Sequence, residues 1–237
     1  NSLLKEYAGR GEPEGLVLVA EEQTAGRGRM NRSFHSPAGT GIYMSLLLRP
    51  KVSAVESPLL TIAAAVAVAE AIEAVSQRQV RIKWVNDILV DGKKVCGILT
   101  EAAMDLESGG LEYVVIGIGI NVKKPQAGFP EELRHIAGAV FDDDGCSAEM
   151  RSRLIAEVLT RFRVHYQSLE SRSFLRHYRE KSAVVGHNVL ILSANPETAT
   201  ALDIDDDGHL IVRLENGTIK ALSSGEVSIK PMQEASS

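Results

Sequence analysis

Cysteine is scarce in this chain: there are two in 237 residues, Cys96 and Cys146. They form no CxxC pair, which excludes a disulfide framework and points to free thiols in a reducing compartment. The six histidines, at positions 35, 135, 165, 177, 187 and 209, show no metal-ligand spacing among themselves or with the cysteines. Basic residues do not dominate. With 26 Lys+Arg against 31 Asp+Glu the formal net charge is -5, and the pI is near 5.7. That balance argues against generic nucleic-acid binding, which uses a basic face. The longest apolar run, Ile62–Ala69, is far short of the roughly 20 residues a membrane span needs. No repeat, low-complexity tract or signal peptide is visible, so no membrane association is expected and the cytoplasm is the expected location. The chain begins inside what reads as the start of a helix, so residues upstream are expected.

The content that remains, 44% hydrophobic and 24% charged, is ordinary for a globular protein. The length suits one large domain, or one plus a small appendage. Leu3, Leu4, Tyr7 and Ala8 have helical spacing, with Asn1 or Ser2 as cap and Gly9 as stop. Strands are expected over Gly15–Ala20 and Gly41–Leu48. Ser57-Pro58 opens a helix to about Ser76, with Ser57 as cap. It is apolar nearly all round until Glu70 and so should lie buried against a sheet. Val80–Trp84 alternates as a strand, and Ile88–Val90 and Val95–Thr100 flank Asp91-Gly92, a hairpin signal. Ser108-Gly109-Gly110 turns into Leu111–Ile120, an apolar, β-branched central strand. A short helix is expected near Glu131–Ala137 and a turn at Asp142–Gly145. Ser147 caps a helix with an apolar stripe from Met150 to Leu169, and Phe174–Lys181 is a further short helix. From about Ala183 five short strands separated by tight turns suggest a small β-barrel. The expected domains are therefore 1–183 and 184–237.

Between the first two strands lies Gln23–Phe34, QTAGRGRMNRSF, in which Arg27, Arg29 and Arg32 alternate with Gly26 and Gly28. Glycines let a backbone approach a ligand, and arginines supply forked donors for phosphate or carboxylate. The run fits a loop closing over an anionic, phosphate-bearing ligand; a mobile, solvated loop fits these residues equally well. The second informative stretch is Lys83–Leu99. A strand delivers Lys83, Asn86 and Asp87 to one end of a sheet, and the Asp-Gly hairpin returns Lys94 to the same edge. Taken alone it fits a solvated surface hairpin; beside the arginine loop it supplies cations for a phosphate and one carboxylate for a metal or a proton. Gly117–Asn121, GIGIN, contains GxG but has Val122 where the dinucleotide fingerprint needs its third glycine. Its glycines mark either packing or close approach of a ligand. Asp203, Asp205, Asp207 and Gly208 imitate a calcium loop, but Leu214 stands at the twelfth position and the flanks are strands, so a solvated hairpin turn is expected. No metal-ligating residue is assigned.

With these motifs in order, the sequence resembles the biotin protein ligases, also called biotin–[acetyl-CoA-carboxylase] ligases. The family's GRGRxxRxW loop is here Gly26–Phe34. Its KWPNDI strand is Lys83–Ile88, its GKKxxGIL hairpin is Gly92–Leu99, and its GIGIN strand end is Gly117–Asn121. A GE(V/I)S turn sits at Gly225–Ser228. Phe34 stands for tryptophan and Val85 for proline, and the family's Ser-Thr-Asn segment appears only as Asn1. The DNA-binding winged-helix domain of some members is not in this sequence, so no DNA binding by this segment is expected.

The resemblance implies an α+β fold: a class II aminoacyl-tRNA-synthetase-like mixed sheet flanked by helices, plus a small C-terminal Src-homology-3-like β-barrel. It implies that biotin and ATP give biotinyl-5′-AMP, and that a lysine of a biotin carboxyl carrier protein then takes the biotinyl group. It assigns catalysis to Lys94, Arg29 and Asp87, with Arg27 and Mg2+ beside them. Gln23 and the backbone of Gly26, Arg27, Gly28 and Arg29 are expected to line the biotin pocket. Arg32 and Phe34 are expected on the nucleotide, Asn121 on adenine, and Asn86 and Gly97 in support. An exposed sheet edge leaves a homodimer possible. The competing expectations are a lipoate–protein ligase, whose RRxxGGGxVYHD run is absent, and a non-catalytic regulatory or nucleic-acid-binding protein.

Overall fold

The structure, a computed structural model, describes residues 1–105, 110–141, 147–192, 195–225 and 227–229. The turns expected at Ser108-Gly109 and Asp142–Gly145, together with Cys146 and Glu226, lie outside the described residues. The larger sheet has six strands: β1 (Val17–Ala20), β2 (Gly41–Leu48), β3 (Val80–Lys83), β4 (Asp87–Val90), β5 (Lys93–Met104) and β6 (Leu111–Asn121). Their order is β1-β2-β6-β5-β4-β3. Neighbouring strands are antiparallel. Two isolated parallel bridges, Ile82 to Ser182 and Lys94 to Ala137, tie the sheet to segments outside it.

One face of this sheet is covered by α2 (Ser57–Ser76), which is buried along most of its length, from Leu59 to Ala69 without interruption. Its alanines and valines present little side-chain bulk, so the helix packs flush on Ile42, Met44, Ile98, Ile116, Ile118 and Ile120. The helix is as long as expected, but its cap lies one turn earlier. Ser53 and Glu56 form a capping box around the 3-10 turn Ala54–Glu56, which leads into Ser57. Helices α3 (Ala148–Gln167) and α4 (Phe174–Glu180) pack outside α2; Ser147 caps α3 by accepting from the Met150 amide. The short helix expected near Glu131–Ala137 is reduced to a 3-10 turn, Glu131–Leu133.

The opposite face is only partly covered. Helix α1 (Ser2–Gly9) sets Leu4 and Ala8 against Leu47 and Val115 in a second, small apolar cluster. The remainder of that face carries glycines and polar residues and is the floor of the site described below. The small C-terminal unit is a five-stranded antiparallel sheet: β7 (Asn188–Ile191), β8 (Glu197–Ile204), β9 (Leu210–Leu214), β10 (Ile219–Leu222) and β11 (Val227–Ile229). Its order is β10-β9-β8-β7-β11. It shares the main core through Val189, Ala201, Leu210 and Val212. The Trp84 indole Nε1 donates to the Gly208 carbonyl at 3.0 Å, and Trp84 is buried. Arg179 donates to the Ile204 carbonyl at 2.6 Å.

Candidate active site

The arginine loop is an ordered hairpin, not an open excursion. Arg27 bridges Ser33, the Gly28 amide donates to the Arg32 carbonyl at 2.7 Å, and the Phe34 amide donates to the Gly26 carbonyl at 2.9 Å. Its tip is a 3-10 turn, Arg29–Asn31, with Met30 in the left-handed region. Ser36 closes the base, its hydroxyl donating to the Gln23 side-chain oxygen at 2.8 Å and lying 3.0 Å from the Phe34 carbonyl. Two arginines fasten the hairpin on opposite flanks. Arg27 donates to the Ser2 hydroxyl at 3.1 Å and lies 3.6 Å from Glu101. Arg29 donates to Asn86 Oδ1 at 3.0 Å and to the Gly225 carbonyl of the small unit at 3.1 Å. Both partners of Arg29 are neutral, so its positive charge is left uncompensated by them.

Strand pairing explains what faces this loop. Asp87 lies opposite Gly97, and Gly97 lies opposite Gly119. The Phe34 ring rests on these glycines. A Cβ added at Gly119 would stand 2.6 Å from Phe34 Cε1, and one at Gly97 would stand 3.3 Å from Phe34 Cε2. Gly117 is covered in the same way by the Asn1 side chain. The glycines of GIGIN therefore exist for close approach, as their position in a central strand allows.

Lys94 reaches this floor through a bulge. Ile88 pairs with Cys96 but Leu89 pairs with Lys94, so Val95 is the extra residue. In a regular strand residues three apart point to opposite faces; the inserted residue turns Lys94 onto the face of Gly97 and Asp87. The Lys94 ammonium stands 2.6 Å from the Asp87 carboxylate. Asp91 and Gly92 both adopt positive φ, giving the tight turn that aligns the two strands. Asn86 is held by donation to the Ile98 carbonyl at 2.7 Å, and Asn121 by donation to the Gly138 carbonyl at 3.1 Å.

These groups enclose a single cavity of about 860 Å3. Of the residues expected from sequence, Gln23, Arg27, Gly28, Arg29, Arg32, Phe34, Asn86, Asp87, Lys94, Gly97 and Asn121 all line it. Gly26 does not. It lies behind the hairpin, where a Cβ would collide with the Phe34 carbonyl and with Ser36, so it shapes the loop and does not form the wall. Asn1 also differs from expectation, since it makes no side-chain cap bond to α1. Its amide instead donates to Glu101 at 2.8 Å, and its oxygen accepts from Ser45 at 2.7 Å. Burial pushes the Glu101 carboxyl up, but Lys5, Asn1 and Arg27 outweigh it and hold the group below its ordinary range. The Asp205–Asp207 run lies outside this cavity. Asp205 accepts from the amides of Asp207 and His209 and faces His209 Nδ1 at 3.0 Å, which is the hairpin turn expected.

Residues 2–121 match the biotin/lipoate A/B protein ligase family, and residues 185–230 match the biotin protein ligase C-terminal domain. The chain belongs to the biotin/lipoate A/B protein ligase family. Among curated members, the bifunctional ligase/repressor BirA of Bacillus spizizenii is 41% identical over 94% of this chain and 69% of its own length. The biotin–[acetyl-CoA-carboxylase] ligase of Mycobacterium tuberculosis is 31% identical over 95% of this chain and 83% of its own. Among solved structures, the biotin protein ligase of Aquifex aeolicus in complex with biotin and ATP has a TM-score of 0.77 at 29% identity, covering 95% of this chain and 93% of that one.

Within the family frame, several wall residues carried no sequence signal. Ser45 sits in an otherwise apolar strand and Ile136 in a loop. Gly225 and Ser228 reach the cavity from the small unit. Only the turn motif at Gly225–Ser228 was visible beforehand, and it gave no hint of a contact with Arg29.

Proposed function

We propose that this protein is an ATP-dependent, AMP-forming biotin–protein ligase that modifies a lysine of a biotin carboxyl carrier protein, with 1–183 as the catalytic domain and the β-rich segment from 184 as its companion. The observation that carries this reading is the meeting of Arg29, Lys94 and a glycine floor in one cavity. A carboxylate does not acylate an amine at neutral pH, so it must first gain a leaving group. In the first step a biotin carboxylate oxygen attacks the α-phosphorus of ATP, and pyrophosphate departs with the electron pair. Both reactants are anions, so their approach needs fixed cations. Arg29 and Lys94 fill that role. Arg29 is positioned by neutral acceptors and keeps its charge for the phosphate. Lys94 holds Asp87 until an anion competes for its ammonium.

Phe34 on the glycine floor and Asn121 at the strand end suit a nucleobase, one by its apolar face and the other by hydrogen bonding. Gln23, Gly28 and Arg27 form the wall for the biotin ring, supported by Asn1 and Ser45. Mg2+ takes one or two protein carboxylates and binds mainly to substrate phosphates; Asp87 fits as that carboxylate, and the ion would supply charge neutralisation there. In the second step the carrier lysine must shed a proton and attack the acyl carbon, releasing AMP. Asp87, held on a strand end, is the group suited to orient it. The fastened hairpin keeps water from the acyl-adenylate.

The test is to incubate the protein with biotin, ATP and an apo carrier domain and to locate biotin on the carrier by mass spectrometry. Labelling of one lysine supports the reading. Labelling with lipoate only, or no labelling with either acid, overturns it.

A further inference from the structure

Glu101 stands behind the cavity wall, outside the residues that line it. On β5 it alternates with Leu99 and Gly97, so all three share the face that carries the floor. Thr100, between them, turns to α2 and accepts from the Thr61 hydroxyl at 2.8 Å. Side chains from the start of α1 and from the arginine hairpin converge on the Glu101 carboxylate. Lys5 pairs with one oxygen, the Asn1 amide donates to the other at 2.8 Å, and Arg27 lies 3.6 Å from that same second oxygen. Burial pushes the carboxyl up, but these donors outweigh it and keep the group ionised at neutral pH.

Polar anchors hold the tip of the hairpin. A cleft of about 290 Å3 lies between residues 27–32 and the strand residues Leu99 and Glu101, so the tip does not pack down on β5 there. Met30, its apolar side chain, is exposed. The closed position therefore depends on what Arg27 and Arg29 grip. Arg29 grips Asn86 and Gly225, both neutral, and Arg27 grips Ser2 and Glu101. Of these partners only Glu101 is charged. The two arginines thus differ in use. Arg29 keeps its charge for a ligand, whereas that of Arg27 is matched by a protein carboxylate.

We infer that Glu101 is a positioning residue that holds the arginine hairpin closed over the cavity, tying it through Arg27 to β5 and sharing that carboxylate with Asn1 and Lys5 of the α1 segment. It acts through Arg27 and touches no reacting atom. The same carboxylate fixes the Asn1 amide, whose oxygen then faces the Ser45 hydroxyl at 2.7 Å, so hairpin and wall are set by one group. That the closed hairpin retains biotinyl-5′-AMP rests on the ligase reading above; the closure itself does not.

The experiment uses Glu101→Gln, Arg27→Met and the two together, with trypsin and biotinyl-5′-AMP as probes. Trypsin reads the hairpin without calling on any activity, because cleavage after Arg29 and Arg32 follows the population of the opened form. The Arg27–Glu101 pair is partly exposed, with side chains 53% and 21% accessible, so a modest effect is expected. In the ligand-free protein Glu101→Gln should speed cleavage at those two sites about fivefold, with cleavage elsewhere and Tm unchanged. The double variant should be cleaved no faster than Arg27→Met alone, since the two side chains act as a pair. Release of bound biotinyl-5′-AMP should quicken by a similar factor, while its formation in a single turnover keeps nearly the unmodified rate. Unchanged cleavage, effects that add in the double variant, acceleration spread along the whole chain, or release at the unmodified rate would each overturn the assignment. Faster cleavage in Glu101→Gln together with no binding of biotinyl-5′-AMP by the unmodified protein would uphold the positioning role and overturn the ligase reading.

Discussion

Adding one methyl group to the cavity floor at Gly119 tests the account where its geometry is tightest. In Gly119→Ala the new Cβ would stand 2.6, 2.9 and 3.1 Å from three atoms of the Phe34 ring. Carbon atoms pack at about 3.5–4.0 Å, so the ring must move by about 1 Å or leave the floor. Overpacking of this kind costs about 1–3 kcal/mol. Phe34 is only half-buried, so the ring can swing into solvent and the penalty falls on ligand binding more than on folding. A cost of that size raises the KM for ATP about 5- to 150-fold, with little change in Tm. Gly97→Ala is the graded control. Its Cβ would meet Phe34 at 3.3 Å and the flexible end of Lys94 at 3.2 Å, so a loss of roughly threefold or less is expected. The assay is ATP–pyrophosphate exchange across ATP concentrations for both variants, for Phe34→Ala and for Gly119→Ala with Phe34→Ala. The double variant should be no worse than Phe34→Ala alone, since the clash is gone. A Gly119→Ala enzyme with unchanged KM, or a double variant whose losses simply add, would refute the argument.

Asp87→Asn should slow transfer to the carrier more than adenylation, and equal slowing in single-turnover experiments would remove Asp87 from the second step. Arg29→Gly loses both Asn86 and Gly225 and should release biotinyl-5′-AMP into solution, detectable by chromatography as an increase over the unmodified protein. Trp84→Phe leaves the Gly208 carbonyl without its donor and should cost about 1–3 kcal/mol in urea unfolding, because that site is buried. Glu70 links α2 to His165 at 3.0 Å and to His177 at 2.7 Å. Burial pushes its carboxyl up, but the two histidine hydrogen bonds prevail and lower it from 4.5 to about 2. A carboxylate with a depressed folded pKa stabilises above its unfolded pKa, so the contribution, on the order of 3 kcal/mol, is full above about pH 4.5 and disappears as pH falls to about 2. Glu70→Gln should flatten the stability-versus-pH curve in that window and leave exchange activity at neutral pH intact.

Much of this architecture was readable because the signals were local. The Ser57–Ser76 helix, the Gly41–Leu48 strand and the Asp91-Gly92 hairpin depend on composition and on residues close in sequence, and they appear where periodicity put them. The unread features are tertiary. Nothing near Val95 announces a bulge, yet without it Lys94 would point away from Gly97. Asn1 looks like a helix cap but is claimed by Glu101 on a strand about a hundred residues away. The composition of the Arg/Gly loop fits a mobile run and a loop closing over an anion equally well, and it becomes a hairpin through Arg27 and Arg29, which reach partners distant in sequence. The candidate site residues were chosen by motif order, and Gly26, which does not line the cavity, shows the limit of that route. This motif glycine serves the loop's own folding without touching the cavity.

The central claim is that Arg29 and Lys94 act on one acyl phosphate. It is tested most directly by measuring exchange of labelled pyrophosphate into ATP with and without biotin, for the unmodified protein and for Lys94→Ala. The account predicts exchange that depends on biotin and falls by at least about 10²-fold in the variant. Exchange that ignores biotin, or a Lys94→Ala protein that exchanges at the unmodified rate, would contradict it.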